Sequence, residues 1–246
     1  MRILAIDTAL PAVSACVLDD DAEEPISSET IAMERGHAEA LLPLIERVMS
    51  KVEGGFSTID RVAVAVGPGS FTGIRIGLAA AQGIALACKA EIVGVSTLAA
   101  LAAPLILDPF EGVVAAAIDA RHGNVYIAAF GADGRALLSP RRASAQDALR
   151  ALGAGPILLI GSGAEALAKE ARARGVPTRI VSEQTAPDIA FIARLGLAAR
   201  PDAAPARPLY LKEPDVTPPS ASRPEKEAAA TPDIASTARA ATPVEA

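Results

Sequence analysis

The sequence predicts an α/β fold in which mixed sheets are flanked by helices, and three observations lead there. Short aliphatic runs alternate with stretches of helical spacing, in the order βββαβαβα through the first part of the chain. A strand–turn unit at Ile6-Asp7-Thr8 is echoed 112 residues later by Ile118-Asp119-Ala120. Of 246 residues, 51% are apolar and 21% charged, which gives enough apolar surface to offset the entropy of ordering a core.

Taken in order, residues 3–7, 13–18 and 25–32 read as three strands joined by turns containing Pro11 and Asp19-Asp20-Asp21. Residues 36–50 read as a helix, with Ala38, Leu42, Ile45 and Met49 at helical spacing. Pro43 lacks a backbone donor there and predicts a kink or a late start. A continuous apolar strand at 61–66 runs into the turn Gly67-Pro68-Gly69, and a second helix follows at 72–89. A short strand at 92–95 and a helix opening near Ser96-Thr97 complete this half.

The second half begins the same way. The turn Arg121-His122-Gly123-Asn124 takes the place of Ala9-Leu10-Pro11-Ala12, and a strand at 125–130 takes the place of 13–18. A strand at 155–160, the turn Gly161-Ser162-Gly163, an Ala-rich helix to Arg174 and a last helix at 188–199 follow. The pattern is a long-period duplication, not a solenoid. Residues 213–246 stand apart. Twenty-two of these 34 are Ala, Pro, Ser or Thr, a composition that cannot build a core, so a disordered tail is expected.

Several function classes recede on composition. The formal charge is −6, with two histidines, two tyrosines and no tryptophan. The chain therefore lacks both the basic footprint and the stacking aromatics of a self-sufficient nucleic-acid binder. No apolar run approaches the ~20 residues of a membrane-spanning helix. The opening Arg2-Ile3-Leu4-Ala5-Ile6-Asp7 carries an acid where a secretory leader stays apolar. A soluble, cytoplasmic protein with reduced Cys16 and Cys88 is expected.

The sharpest local feature is Gly67-Pro68-Gly69-Ser70-Phe71-Thr72-Gly73-Ile74-Arg75, a glycine-rich turn between a strand and a helix. It is neither a phosphate-binding Gly-Lys-Ser/Thr loop nor a dinucleotide fingerprint, whose third glycine would come one residue earlier. Two readings stay open: a tight turn capped by Ser70 or Thr72, and an anion site at a helix N-terminus. The helix it opens is apolar nearly all round. Its long polar residues Arg75, Gln82 and Lys89 recur every seven positions and form one narrow stripe. Gly73, Gly77, Ala81 and Ala85 make a small-residue ridge, and Ile74, Leu78 and Ala81 are placed to face the sheet. With Leu41, Leu44 and Val48 of the preceding helix, this surface is expected to dock on another subunit.

Catalytic groups are sparse. His37 is followed one turn later by Leu41, not by a second histidine, and no cysteine–histidine cluster or metal motif occurs. His122 has no second ligand near it in sequence, and Ser70 lacks a nucleophile elbow. Asp7 and Asp119, at matching strand ends, either hold magnesium through water or fold their own turns.

The segments Ile3-Leu4-Ala5-Ile6-Asp7-Thr8, Arg35-Gly36-His37-Ala38-Glu39-Ala40-Leu41-Leu42-Pro43 and Gly67 to Gly77 together resemble the TsaB family, also called YeaZ. Ile118-Asp119-Ala120-Arg121 and Pro208-Leu209-Tyr210-Leu211-Lys212 fit the same pattern. The resemblance implies two tandem ribonuclease-H-like lobes of the actin/Hsp70 ATPase superfamily, at 1–103 and 104–212, with the tail 213–246 outside it. It further implies a noncatalytic scaffold subunit that pairs with the catalytic paralogue TsaD, with the ATPase TsaE joining. That assembly forms threonylcarbamoyladenosine beside the anticodon of tRNAs reading ANN codons. Helices 36–50 and 72–89 would make the pairing surface, through Leu41, Leu44, Val48, Gly73, Arg75, Gly77, Ala81, Gln82 and Ala85.

On this resemblance the chain holds no catalytic residue, metal or cofactor of its own, with ATP and magnesium placed at a subunit junction or in the partners. tRNA is met only through the complex, and a homodimer of the isolated chain is left open. Leu41, in place of a second histidine, separates the chain from the metal-binding paralogue; Ala38 for Ser and Lys212 for Arg are milder departures. A vestigial nucleotide or anion site would comprise Asp7, Thr8, Gly67, Gly69, Asp119, Gly161 and Gly163. The alternative reading is a stand-alone ATPase of the actin-like fold, using Asp7, Asp119 and Gly161-Ser162-Gly163.

Overall fold

Two five-stranded sheets organise the chain, each assembled by the same series of elements. The computed structural model describes residues 1–107 and 110–211. The expectation for the tail 213–246 lies outside the described residues. In the first sheet β1 (Arg2–Asp7), β2 (Ala12–Asp19) and β3 (Ser27–Ala32) form an antiparallel meander. The chain then crosses through α1 (His37–Met49) to β4 (Arg61–Gly67) and through α2 (Phe71–Cys88) to β5 (Glu91–Ser96), both parallel additions. The spatial order is β3-β2-β1-β4-β5.

After α3 (Thr97–Ile106) the programme repeats. It runs β6 (Val113–Asp119), β7 (Asn124–Phe130), β8 (Ala136–Ser144), α4 (Ala145–Leu152), β9 (Ile157–Ile160), α5 (Ala164–Arg174), β10 (Thr178–Ser182) and α6 (Ile189–Ala198). The second sheet reads β8-β7-β6-β9-β10, with the same pairing directions. Two ribonuclease-H-like lobes in tandem are therefore the architecture of the chain.

The inner strands of both sheets are apolar on both faces, and a sheet of that kind must be covered twice. Helices α1 and α2 cover one face of the first sheet, and α4 and α5 one face of the second. The remaining faces are covered by exchange: α6 lies on β1, β2 and β4, while α3 lies on β6 and β7. Leu98, Leu101 and Leu105 of α3 are buried with Val114, Ile118 and Leu158. Ile189, Ile192 and Ala193 of α6 are buried with Ile3, Ala63 and Val93. A boundary at 103/104 thus cuts through α3, and the last helix of the second lobe belongs to the first lobe's core.

Arg61 on β4 fixes that exchange. Its guanidinium Nη1 donates to the carbonyls of Gly196 (3.0 Å), Leu197 (3.1 Å) and Ala199 (3.1 Å), which otherwise end α6 unpaired. Nε and Nη2 meet Glu91 at 3.0 and 2.6 Å. Cys16 adds a weaker tie, its Sγ lying 3.7 Å from the Ile189 carbonyl, and burial pushes this thiol up to about 12. Both features keep it inert as a nucleophile.

Three elements have no clear sequence signal, namely β8, α4 and β10. β8 and β10 are edge strands, and β8 carries Pro140, Arg141 and Arg142, which an edge tolerates and a central strand does not. Pro43 lies inside α1 without ending it, on the exposed side of the helix, where water reaches the Glu39 carbonyl that it leaves without a donor. The apolar stripe of α1 is also shifted by one residue from the expected one: Leu41, Leu44, Ile45, Val48 and Met49 are buried, whereas Ala38 and Leu42 are exposed.

Contrary to the hydropathy reading, α2 is long and apolar enough to cross a membrane by length and composition, at 18 residues and mean hydropathy 1.4. Its Ile74, Leu78 and Ala81 nevertheless pack into the first lobe's core, as their spacing predicts.

Replacing Arg61 by Met keeps the aliphatic stem and removes all the charge-assisted bonds. Stability in urea is expected to fall by about 3 kcal/mol, since the buried guanidinium is lost and three carbonyls lose their charged donor, while Glu91 is 55% exposed and adds little. A loss below about 1 kcal/mol in equilibrium unfolding would show that α6 is held by packing alone.

Candidate functional site

The β1–β2 turn and the glycine-rich loop after β4 are built into one another. The Thr8 hydroxyl donates to the Gly73 carbonyl at 2.7 Å, and the Ser70 N–H donates to the Ala9 carbonyl at 2.7 Å. Ser70 is the N-cap of α2, its Oγ accepting from the Gly73 N–H at 3.2 Å. A Cβ on Gly73 would collide with the Thr8 carbonyl oxygen, and one on Gly77 would lie 2.6 Å from Thr8 Oγ1. Glycine is required there because two backbones touch. The loop has thus spent donors on its own chain that an anion would need.

Asp7 completes this knot. Its Oδ1 accepts from the Ala9 N–H at 2.8 Å, and the residue is 2% exposed. Burial pushes its carboxyl up to about 6, against the opposing pull of the Ala9 N–H and of the His37 charge. His37 opens α1 with its Nε2 3.1 Å from the Leu10 carbonyl, so it ties the helix to the same turn. In the second lobe Asp119 makes the same hydrogen bond: its Oδ1 accepts from the Arg121 N–H at 2.8 Å, again 112 residues on. That copy is exposed. Arg121, His122 and Gly123 all take left-handed backbone angles (φ 61°, 54° and 73°), and the turn borders the space between the lobes.

A cleft of about 990 Å³ opens there, lined among others by Glu34, Arg35, His37, Ser70, Asp119 and Arg121. Asp7 is not in its wall, because Ala9 and Leu10 lie over it. Gly161 and Gly163 pack on the end of β6, the Gly163 N–H donating to the Ala117 carbonyl at 2.9 Å, while Ser162 Oγ accepts from the Asp119 N–H. Asp7, Thr8, Gly67, Gly69, Gly161 and Gly163 therefore shape turns and do not assemble with Asp119 into an open pair of carboxylates. Among the described residues no three His, Cys, Asp or Glu side chains are grouped to hold a metal ion. The residues present do not fit a magnesium–phosphate site built on Asp7.

The expected docking residues divide in two. Leu41, Leu44, Val48, Gly73, Gly77, Ala81 and Ala85 all turn into the protein's own interior. The reason is steric: the close contact with Thr8 can be made only by the small-residue side of α2, so that side faces inward. Arg75 and Gln82 stay exposed, on a face that also carries Phe71 (52% exposed), Ala79, Gly83 and Leu86 (82%), with Leu42 (59%) on α1. Beside it, Tyr210 stacks on Phe71 with ring centroids 5.2 Å apart. Phe71, Leu86 and Tyr210 were not singled out from sequence, although Phe71, Arg75, Ala79, Gln82 and Leu86 follow helical spacing.

The family model described as "TsaD: tRNA N6-adenosine threonylcarbamoyltransferase" matches residues 29–191, more than half of the chain. Uncharacterized protein Rv3421c of Mycobacterium tuberculosis is 32% identical over 217 residues, covering 88% of this chain and 94% of that protein. TsaB of Escherichia coli K12 is 38% identical over 133 residues, 54% of this chain and 56% of that protein. The solved YeaZ from Pseudomonas aeruginosa superposes with a TM-score of 0.64 at 26% identity, covering 85% of this chain and 99% of that one. The chain belongs to the TsaB/YeaZ family. It spans about half the length of the curated TsaB relatives from Escherichia coli and Haemophilus influenzae, 56% and 52%. For a TsaB/YeaZ chain, the buried knot around Asp7 is a structural feature, and the outward side of α2 is the unexplained surface.

The raised carboxyl of Asp7 has a measurable signature. Its folded pKa lies above the unfolded value of 3.8, so the folded state holds the proton more tightly. Stability from this group is full below about pH 4 and is lost as pH rises through about 6, a change of about 3 kcal/mol. Asp7→Asn keeps an oxygen for the Ala9 N–H but cannot titrate. Urea unfolding of the two proteins should show the Asn variant gaining on the wild type by that amount between pH 4 and 7. Parallel pH profiles would place Asp7 in water.

Proposed function

We propose that the chain is a noncatalytic, partner-binding subunit in tRNA threonylcarbamoyladenosine biosynthesis, and that it docks on a TsaD-type catalytic subunit. The observation that carries this reading is the outward face of α2, where Phe71, Ala79, Gly83 and Leu86 are exposed, as is Leu42 on α1. Such a strip is apolar, rigid and nearly free of charge, and its small residues let a second helix approach closely. Family membership supports the pathway, and the names of the TsaB relatives supply it.

Support for a noncatalytic role comes from the fate of the groups that could do chemistry. His37 is bound to a backbone carbonyl, Leu41 one turn later is buried hydrocarbon, and Asp7 is sealed in its turn. The stand-alone ATPase reading needs Asp7 open to a metal and has less support for that reason. In this proposal TsaE joins the assembly, ATP and magnesium belong to the partners or a subunit junction, and tRNA is met only through the complex. Cytoplasmic residence follows from a tRNA substrate. The same face could close a homodimer of the isolated chain, which a TsaD-type subunit would displace.

The test uses Ala79→Arg with Leu86→Glu. Both positions are exposed, so unfolding should shift by no more than about 1 kcal/mol, while co-purification with the TsaD-type subunit of the same cell and tRNA modification are lost. Gly77→Arg would be uninformative, since it strikes Thr8 and breaks the fold. Retained co-purification and modification in the double variant would sink the proposal.

A further inference from the structure

Arg75 is the only charged residue between Phe71 and Cys88, and it is held in place on two sides. Its guanidinium carbon lies 3.8 Å from the centre of the Phe71 ring, and its Nε donates to the Tyr210 hydroxyl at 3.0 Å. Tyr210 in turn stacks on Phe71, the ring planes 27° apart, and its chain segment is tied down by the Leu209 N–H donating to the Val66 carbonyl at 2.8 Å. The result is a closed triangle of Phe, Arg and Tyr at the N-terminal end of the exposed α2 face.

This arrangement uses Nε and one face of the guanidinium, and among the described residues Nη1 and Nη2 have no hydrogen-bond partner. Among the described residues Arg75 makes no salt bridge, although acidic residues outnumber basic ones by nearly two to one in residues 1–107. A long side chain normally loses rotamer freedom on binding; here most of it is already gone. A planar fork with two donors matches a carboxylate in the bidentate manner. The acidic lobe repels a polyanion, and the apolar neighbours favour a protein surface over a phosphate backbone.

We propose that Arg75 is the charged anchor of the α2 face and receives an Asp or Glu carboxylate from a helix of the TsaD-type partner, with Phe71 and Tyr210 as its positioning residues. This rests on the reading of α2 as the docking face given above. Arg75 sets which partner fits and in which register, while the apolar strip around Leu86 supplies most of the contact.

The purified full-length chain and its TsaD-type partner provide the test, by titration calorimetry at several salt concentrations. Arg75→Gln is expected to weaken binding about ten-fold or more and to flatten its salt dependence. Tyr210→Phe keeps the ring stack but frees the guanidinium, so it should weaken binding about three-fold and leave the salt dependence intact. In Arg75→Lys, carbodiimide activates the facing carboxylate, and the amine at position 75 displaces the urea to form an amide. Mass spectrometry should then find position 75 joined to an Asp or Glu of the partner. Wild-type affinity in Arg75→Gln, alongside lost affinity in Leu86→Glu, would overturn the anchor and leave the docking face standing. Unchanged affinity in both would remove the docking face as well. Loss of tRNA retention by Arg75→Gln with partner affinity unchanged would reassign the guanidinium to nucleic acid.

Discussion

The 2.7 Å bond from the Thr8 hydroxyl to the Gly73 carbonyl sets the rotation of α2, and the surface of the first lobe follows from it. A helix lying that close to a turn can present only glycine or alanine to it, which assigns the Gly73, Gly77, Ala81 and Ala85 side to the interior. The opposite side then carries whatever else the helix contains. In this chain that is Phe71, Arg75, Ala79, Gln82 and Leu86, with a single charge among them. The loop geometry that resembles an anion site is therefore the means by which α2 is seated. The Ser70 and Gly73 amides that could have met a phosphate are bonded to Ala9 and to the cap.

The two lobes differ at one matching position. Both lobes close the first hairpin with an aspartate that accepts from the N–H two residues on, at the same distance. In the second lobe the carboxylate faces the cleft. In the first lobe it is covered by Ala9 and Leu10, beneath a helix end tied down by His37. Covering a carboxylate without a full set of partners costs folding energy at neutral pH, as its pKa of about 6 records. Asp7 is held in its turn by the Ala9 N–H and takes no part in the cleft wall.

Much of this was legible in the sequence, and the failures have common physical causes. The apolar strands at 3–7, 61–66 and 125–130 were read within a residue or two, because a strand buried on both faces is a continuous aliphatic run. The two halves were matched through one Asp at one turn, and the sheets repeat in order as that match requires. Edge strands β8 and β10 escaped because solvent on one side allows Pro140, Arg141 and Arg179. The exchange of α3 and α6 between lobes has no local signal. An apolar helix face declares that it will be covered and does not say by which sheet. The orientation of α2 failed for the same reason: with hydrocarbon nearly all round, spacing alone could not choose between the ridge of small residues and the Phe71–Leu86 side. Thr8, more than sixty residues away, makes that choice.

An apolar helix left in water is a liability, and the details of α2 limit it in a particular way. The large apolar groups, Phe71 and Leu86, lie near opposite ends of the helix, with Ala79 and Gly83 between them. The middle of the face carries only these two small residues and the polar Gln82, so it has little hydrocarbon to expose. Small residues there suit a helix partner at short distance and give a lipid little to grip. The N-terminal end is different: there the aromatic ring is covered on one side by Arg75 and on another by Tyr210, so part of its area is already out of water before any partner arrives. A guanidinium stacked on a ring loses less on desolvation than a bare ammonium would, because it is weakly hydrated. The same three side chains therefore lower the cost of exposing the face when it is free and the cost of burying the charge when it is docked. Neither an unbroken run of leucines nor a lysine in place of Arg75 would meet both conditions.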